Sequence, residues 1–303
     1  MTTTCAATQP HNGKKSVWDF CPSKPAAYLF VVLFALTTLG HLVQTIYHRK
    51  PYCFVLVISG LLQVATFVFR LISIEHPSSS GAYAAYFVLM IAPLFTNAVV
   101  YMVMGRMTWN FIPDAKLYNV TAWRFGTLFV ILDIFALFVQ LSGASSAAGD
   151  NKTDAQILKG LHIYMGGVAL QQIFIFIILF FAIKFHRLVL QQTRDGAEGM
   201  QKALMLLQIL YAILALITVR IIFRLLEYAN GLNSSIPQHE VWQYCFDSAL
   251  MFLALVLFNI VHPGRIMSGK ESNIPSRKER KLKGLCNKPG IGRSREDIVL
   301  QDT

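Results

Sequence analysis

Acidic residues are scarce in this chain. It holds 16 Asp and Glu against 27 Lys and Arg, and charged residues of both signs make up only 14% of its 303 positions, where a soluble domain carries about 25%. Cysteine is also sparse, with Cys5, Cys21, Cys53, Cys245 and Cys286 showing no CxxC or Cys/His spacing, so a zinc site is not expected. Period-2 alternation of apolar and polar residues is missing, which argues against a transmembrane barrel. No complete phosphate-binding loop is present: GRIMSGKE (Gly264 to Glu271) ends on Glu271 where Ser or Thr would hold magnesium, and it follows an apolar run instead of a strand. The chain therefore shows no ATP site. Catalysis has no positive evidence either, and neither an enzyme nor a cofactor is expected.

What is abundant is hydrocarbon, at 54% of residues. Seven runs, 25–47, 52–74, 84–106, 121–142, 160–185, 203–225 and 244–262, are long enough to cross a core about 30 Å thick, which takes roughly 20 residues of helix. The expected fold is an all-α membrane protein, a bundle of seven transmembrane helices in one domain over 25–264. A polar tail (1–24) precedes it and a basic tail (265–303) follows. The first tail carries Lys14, Lys15 and Lys24 and no apolar stretch, so no cleavable signal is expected and the first span targets the chain. The connections after spans 1, 3 and 5 and the C-terminal tail hold about 18 Lys and Arg, against about 5 in the other connections and the N-terminal tail. That asymmetry predicts an external N-terminus and a cytoplasmic C-terminus.

Three glycan-acceptor triplets bear on this topology. Asn151 and Asn233 fall in predicted outer loops and are candidates for glycosylation, whereas Asn119 falls in a predicted cytoplasmic loop and is read as chance. Among the cysteines, Cys5, Cys21 and Cys245 lie toward the outer side, so one pair, such as Cys21 with Cys245, could form a disulfide; idle thiols are the alternative. In the basic tail, Arg277, Lys278, Arg280, Lys281 and Lys283 could lie on anionic inner-leaflet lipids, with Cys286 available for acylation, or could be plain solvated tail. Deleting residues 270–303 is then expected to leave insertion and activity largely intact. Nucleic acid is a poor partner for such a chain.

Charges inside the predicted spans are the informative feature. ITVRIIFRLLEYANG (Ile217 to Gly231) places Arg220, Arg224 and Glu227 in a run of hydrocarbon. A helix-centre Arg costs about 2.5 to 3.5 kcal/mol to insert, and each Leu, Ile, Val or Phe returns about 0.3 to 0.6, so the span still crosses. At 100° per residue the three charges share an arc of about 60° and should face the bundle interior. Arg70 lies near the outer end of span 2, Asp133 mid-span 4 with Gln140 on its face, and Asp247 at the outer end of span 7, preceded by Glu240. Asp133 and Asp247 are the expected acidic partners of the arginines. Two readings stay open: ion pairs holding helices together, or the lining of a hydrated cavity that admits an amphiphile from the outer leaflet. His41, His162 and His262 could carry protons or serve as packing residues.

FVFRLISIE (Phe67 to Glu75) and IIFRLLEYA (Ile221 to Ala229) align Arg70 with Arg224, and spans 3 and 7 end in Gly105-Arg106 and Pro263-Gly264-Arg265. The pattern could reflect parallel repeats of spans 1–3 and 5–7 about span 4, or chance similarity of apolar segments. Span 3 ends MGRM and span 7 ends NIVHPG with no lysine, so the motifs of G-protein-coupled receptors and of retinal pumps are missing.

An ordered set of motifs resembles the fungal lipid-translocating exporter family, seven-helix proteins named for resistance to aminocholesterol and including sphingoid long-chain-base translocators. The set comprises CPSKPA (Cys21 to Ala26), IAPLFTNAVVYMVMGR (Ile91 to Arg106), Asp133 with Gln140 and Gly143, and GVALQ (Gly167 to Gln171). RIIFRLLEYANG (Arg220 to Gly231), HEVWQYCFD (His239 to Asp247) and HPG (His262 to Gly264) complete it. The resemblance implies a plasma-membrane exporter or translocator of lipids or toxic amphiphiles that contributes to stress or drug resistance. Arg70, Asp133, Gln140, Gln171, Arg220, Arg224, Glu227, Glu240 and Asp247 are then its candidate cavity or ion-pair residues. The alternative is a lipid-sensing receptor or regulator of membrane asymmetry that transports nothing. One departure stands out: Gln63, with Thr66 and Phe67, replaces the glutamate and Gly-Tyr usual in the family, which puts ion or proton coupling through that carboxylate in doubt.

Overall fold

In the computed structural model, residues 16, 18, 20–90, 92–147, 153–196, 199–229, 236, 239–269 and 272–282 are described. Seven helical segments among them are long and apolar enough to cross a membrane. Span 1 is α1 (Lys24–His48), opened by the Ser23 hydroxyl accepting from the Ala26 N–H and by a proline in the first turn, where a missing N–H costs nothing. Span 2 is α2 (Phe54–Glu75).

Span 3 is broken. It consists of α3 (Ser80–Leu89) and α4 (Pro93–Phe111). Pro93 has no N–H to give Leu89, whose carbonyl accepts instead from the Ala92 N–H at 2.9 Å, and the Thr66 hydroxyl of α2 stands 3.0 Å from the same carbonyl while also bonding its own Leu62 carbonyl at 2.7 Å. A tight backbone turn, with a neighbouring hydroxyl beside it, thus satisfies the backbone at the break.

A two-residue hairpin, β1 (Lys116–Leu117) with β2 (Val120–Thr121) in antiparallel register, joins α4 to α5 (Ala122–Ala147). Among the described residues, the expectation of helices alone therefore gains this small exception. α6 (Asp154–Arg194), at 41 residues, is about 60 Å long and projects well beyond a bilayer core, opened by a Thr153/Gln156 capping box. α7 (Met200–Ala229) carries the three charges. Span 7 is composite: α8 (Glu240–Gln243), a π-helical turn Tyr244–Ser248, α9 (Ala249–Ile260) and α10 (Pro263–Ile266). α11 (Arg277–Leu282) lies in the C-terminal tail.

The helices close a ring in the order α1, α2, α4, α5, α6, α7, α9 and back to α1, with α4 also meeting α6, α7 and α9. α4 is accordingly the most enclosed: Val99, Val100, Tyr101, Val103, Met104 and Met107 are fully buried. Outward faces are apolar at helical spacing, as with Leu29, Val32, Leu36, Leu39, Val43 and Ile46 on α1 and Ile173, Phe176, Phe180 and Ile183 on α6. Hydrocarbon turned outward along whole helices is the surface a bilayer requires. α5 and α6 approach closely because a Cβ on Gly143 would stand 2.3 Å from the Tyr164 nitrogen, so small residues set this contact.

Candidate functional site in the membrane

Arg220, Arg224 and Glu227 of α7 are all buried, on the inward face their spacing predicts. Opposite them, the π-helical turn delivers Asp247. In that turn the Ala249 N–H bonds the Tyr244 carbonyl, an i→i+5 step that admits one extra residue and rotates the following side chains. Asp247 thereby takes two arginines at once, Oδ1 accepting from Arg220 Nε and Oδ2 from Arg224 Nη2 at 2.5 Å. Arg224 Nη1 turns back to Glu227 Oε2 at 2.9 Å within its own helix. Carboxylates on both sides of a guanidinium use its planar fork fully.

Arg70 of α2 anchors a second group. Its Nη2 donates to Glu240 Oε1 at 2.7 Å, and its Nη1 donates to Gln243 Oε1 at 3.0 Å and to the Tyr86 hydroxyl. The rings of Trp18, Tyr86 and Tyr244 surround the guanidinium at 5.0 to 5.1 Å, where their π-faces attract a cation. Trp18 is locked there by its indole N–H donating to the Ser73 carbonyl and hydroxyl at 3.2 and 3.1 Å. Glu240 Oε2 accepts the Ser23 N–H at 2.7 Å, tying the start of α1 to the same group.

The two groups are continuous. Gln243 Nε2 donates to Tyr86 at 2.6 Å, and both Gln243 and Arg224 approach the Met90 sulfur at 3.7 and 3.9 Å, beside the break in span 3. Three arginines (Arg70, Arg220, Arg224) thus meet three carboxylates (Glu227, Glu240, Asp247): the cluster is charge-balanced. A cleft lined by Gln63, Thr66, Phe67, Arg70, Met90 and Asp247 among others enters it, with room for centres of water of about 10 Å³, the volume of about one water. In this conformation the cluster is an ion-pair network entered by a narrow cleft.

Of the residues singled out from sequence, Arg70, Arg220, Arg224, Glu227, Glu240 and Asp247 come together at the end of the bundle where α1 begins. Asp133, Gln140 and Gln171 do not join them. The expectation that Asp133 partners the arginines is corrected: Asp133 Oδ2 accepts from Tyr101 Oη at 2.9 Å and Asn97 Nδ2 at 3.4 Å, both on α4, because α4 and α6 are what α5 packs against. Gln140 reaches Gln171 at 3.4 Å. The N-terminal tail is also more than a polar leader, since Trp18 is buried in the bundle. Sequence reasoning missed Trp18, Tyr86, Gln243 and Tyr244. The clue to Trp18 and Tyr244 was an aromatic of ordinary appearance whose partner is far away in the chain.

Other expectations resolve simply. Cys21 is disulfide-bonded whereas Cys245 and Cys53 are free thiols, so Cys21 and Cys245 do not pair. Asn119 is exposed; Asn151, Asn233 and Cys286 lie outside the described residues. His41 Nε2 sits 3.1 Å from the Leu255 carbonyl and His262 Nδ1 accepts from the Gly264 N–H at 3.2 Å, while His162 is exposed.

The far end of the bundle is organised around Lys50, between α1 and α2. It is 3% exposed and donates to the Gly269 carbonyl at 2.6 Å, to Asn273 Oδ1 at 3.3 Å and to the Ser272 hydroxyl. Burial disfavours its charge and holds its ammonium below the usual lysine range. Asn110 Nδ2 binds the Ser272 carbonyl at 3.2 Å, and Arg280 lies 5.0 Å over the Trp123 ring. The first part of the tail is therefore docked on the bundle.

Comparison with known proteins decides the family. The family described as RTA1 like protein matches residues 56–270, well over half the chain. The chain belongs to this family. Among its relatives, the probable lipid transporter atnI of Emericella nidulans is 38% identical over 284 residues, covering 89% of this chain and 74% of that protein. Protoporphyrin uptake protein 1 of Saccharomyces cerevisiae is 26% identical, covering 80% and 91%. The sphingoid long-chain base transporter RSB1 of the same species is 25% identical, covering 81% and 72%. No solved structure matches. This RTA1-like protein is thus a multi-pass membrane protein, and its named relatives include lipid transporters. The family match contains all nine singled-out residues, while Trp18 and α1 precede it.

Proposed function

We propose that this RTA1-like protein moves a lipid or other amphiphile of the sphingoid-base or toxic lipophile type across the plasma membrane, and so contributes to resistance or membrane stress tolerance. The names of its relatives support the substrate class. The observation that carries the mechanism is the balanced arginine and carboxylate cluster at a helix break and a π-helical turn. A charged headgroup can enter such a cluster only by exchanging partners with an existing pair, and the break in span 3 and the turn in span 7 are the backbone irregularities about which helices can shift. The substrate would displace Arg224 or Arg220 from Asp247, and rejoining of the pair would expel it.

In this reading residues 25–264 form the membrane domain, residues 1–24 face outward and residues 265–303 the cytoplasm, where the basic tail meets anionic lipids. A C-terminal tag resistant to external protease in intact cells is the expected result. α2 and α7, each presenting an arginine to an acid of span 7, are consistent with a parallel repeat about α5. The second reading, a sensor that transports nothing, is favoured by the narrow cleft and by the docked tail. Reconstitution separates the two: the purified protein in liposomes should translocate labelled long-chain base. Arg224→Lys should then reach the membrane in normal amounts yet lose translocation, because an ammonium lacks the planar fork. Absence of movement with the purified parent protein would favour the sensor.

A further inference from the structure

Asp133 differs from the other buried carboxylates of the bundle. Glu227, Glu240 and Asp247 each touch an arginine, whereas Asp133 is 1% exposed and accepts hydrogen bonds only from neutral groups, Tyr101 and Asn97 of α4 on Oδ2, with the Gln171 amide of α6 close by. Its Oδ1 has no partner, and neither does the neighbouring Asn97 Oδ1. Tyr101 is the one titratable side chain among these neighbours; no Lys, Arg or His contacts the carboxyl among the described residues. The position is also deep. Asp133 stands 11 residues from the first residue of α5 and 14 from the last, about 17 and 21 Å along the helix.

A carboxylate held at such depth without a cation is expensive when ionised and cheap when protonated, so retaining the acid there calls for a reason that packing does not supply. A polar thread leads from it: Gln171 connects to Gln140 at 3.4 Å, two turns along α5 toward the end that holds the arginine cluster, and Gln140 is only half-buried. Among the described buried carboxylates, Asp133 is therefore the acid able to change its charge without breaking an ion pair.

Building on the translocation reading above, we propose that Asp133 is the proton-binding site that couples amphiphile movement to a proton gradient. The carboxylate takes a proton from one aqueous side, forming an O–H bond on Oδ1, and that bond breaks to release the proton on the other side while substrate moves in the opposite direction. Nothing else is made or broken, and water supplies and receives the proton.

Two measurements on the purified full chain test this. Infrared difference spectroscopy in lipid nanodiscs should show a carboxylic-acid C=O band that titrates, absent in Asp133→Asn and restored at shifted frequency in Asp133→Glu. In proteoliposomes carrying labelled long-chain base, one proton per cycle makes an imposed gradient of one pH unit shift the steady-state accumulation ratio about tenfold. Asp133→Asn, present at parental abundance, should lose that response, and Asp133→Glu should keep it. A titrating band unchanged in Asp133→Asn, or a gradient response equal to the parent's in that variant, overturns the proposal. If the parent moves no amphiphile at all, the translocation reading fails and with it the coupling, while the band still decides whether Asp133 binds the proton. Variants that fail to accumulate are replaced by Tyr101→Phe, which removes a donor to the same carboxyl: an unmoved band midpoint there counts against Asp133.

Discussion

Arg224 of α7 and Asp247 of span 7 are joined at 2.5 Å, with Arg220 sharing the same carboxylate and Glu227 balancing the same guanidinium. Loss of Asp247 leaves two arginines facing one acid, and loss of Arg224 strands Glu227, so either change uncovers a buried net charge. Arg224→Gln and Asp247→Asn alone should each lower stability by about 3 to 5 kcal/mol. Their combination leaves Arg220 and Glu227, of opposite sign, and should cost much less than the sum. The pairing of Arg224→Gln with Asp133→Asn should show no such recovery. Thermal unfolding of the purified variants in detergent reads this directly.

Thr66 of α2 supports the break in span 3. Thr66→Val keeps the shape but removes the hydroxyl from the Leu89 carbonyl, which keeps the Ala92 N–H, and should destabilise by about 0.5 to 1.5 kcal/mol, whereas Thr66→Ser retains the hydroxyl and should be near neutral. If both behave alike in thermal unfolding, the hydroxyl does not cap the break.

Trp18 closes the aromatic surround of Arg70 from outside the family match. Trp18→Phe keeps a ring but loses the bond to Ser73, and should cost about 1 kcal/mol. Trp18→Ala loses both and should cost about 3 kcal/mol or more. Limited proteolysis of the N-terminal segment provides a second measure, with faster cleavage expected in Trp18→Ala.

Sequence suggests cutting the tail at residue 270, and the structure moves the safe boundary further on. Ending the chain after Leu282 preserves every described contact of Lys50, Asn110 and Trp123 and should leave thermal stability within about 0.5 kcal/mol of the parent, as for changes away from packed features. Ending it after Gly269 removes Ser272 and Asn273 as acceptors for the buried Lys50, and each lost charged hydrogen bond should cost about 1.5 to 3 kcal/mol. Equal stability of the two truncations would show the docking to be energetically idle.

Seven apolar runs determined the membrane fold without help from tertiary contacts, because transfer of a helix into hydrocarbon is a sum over its own residues. Helical periodicity likewise sufficed to put Arg220, Arg224 and Glu227 on one inward face. Partner choice was beyond that reach. Asp133 and Asp247 look equally suited to the arginines in sequence, and the difference comes from which helices adjoin and from a π-helical turn that rotates Asp247 toward α7. The same holds for Trp18, whose place on Arg70 depends on a backbone carbonyl and hydroxyl 55 residues away. Hydropathy and spacing are local properties of a segment; the pairing of buried charges depends on rotations and neighbours that exist only once the bundle has closed.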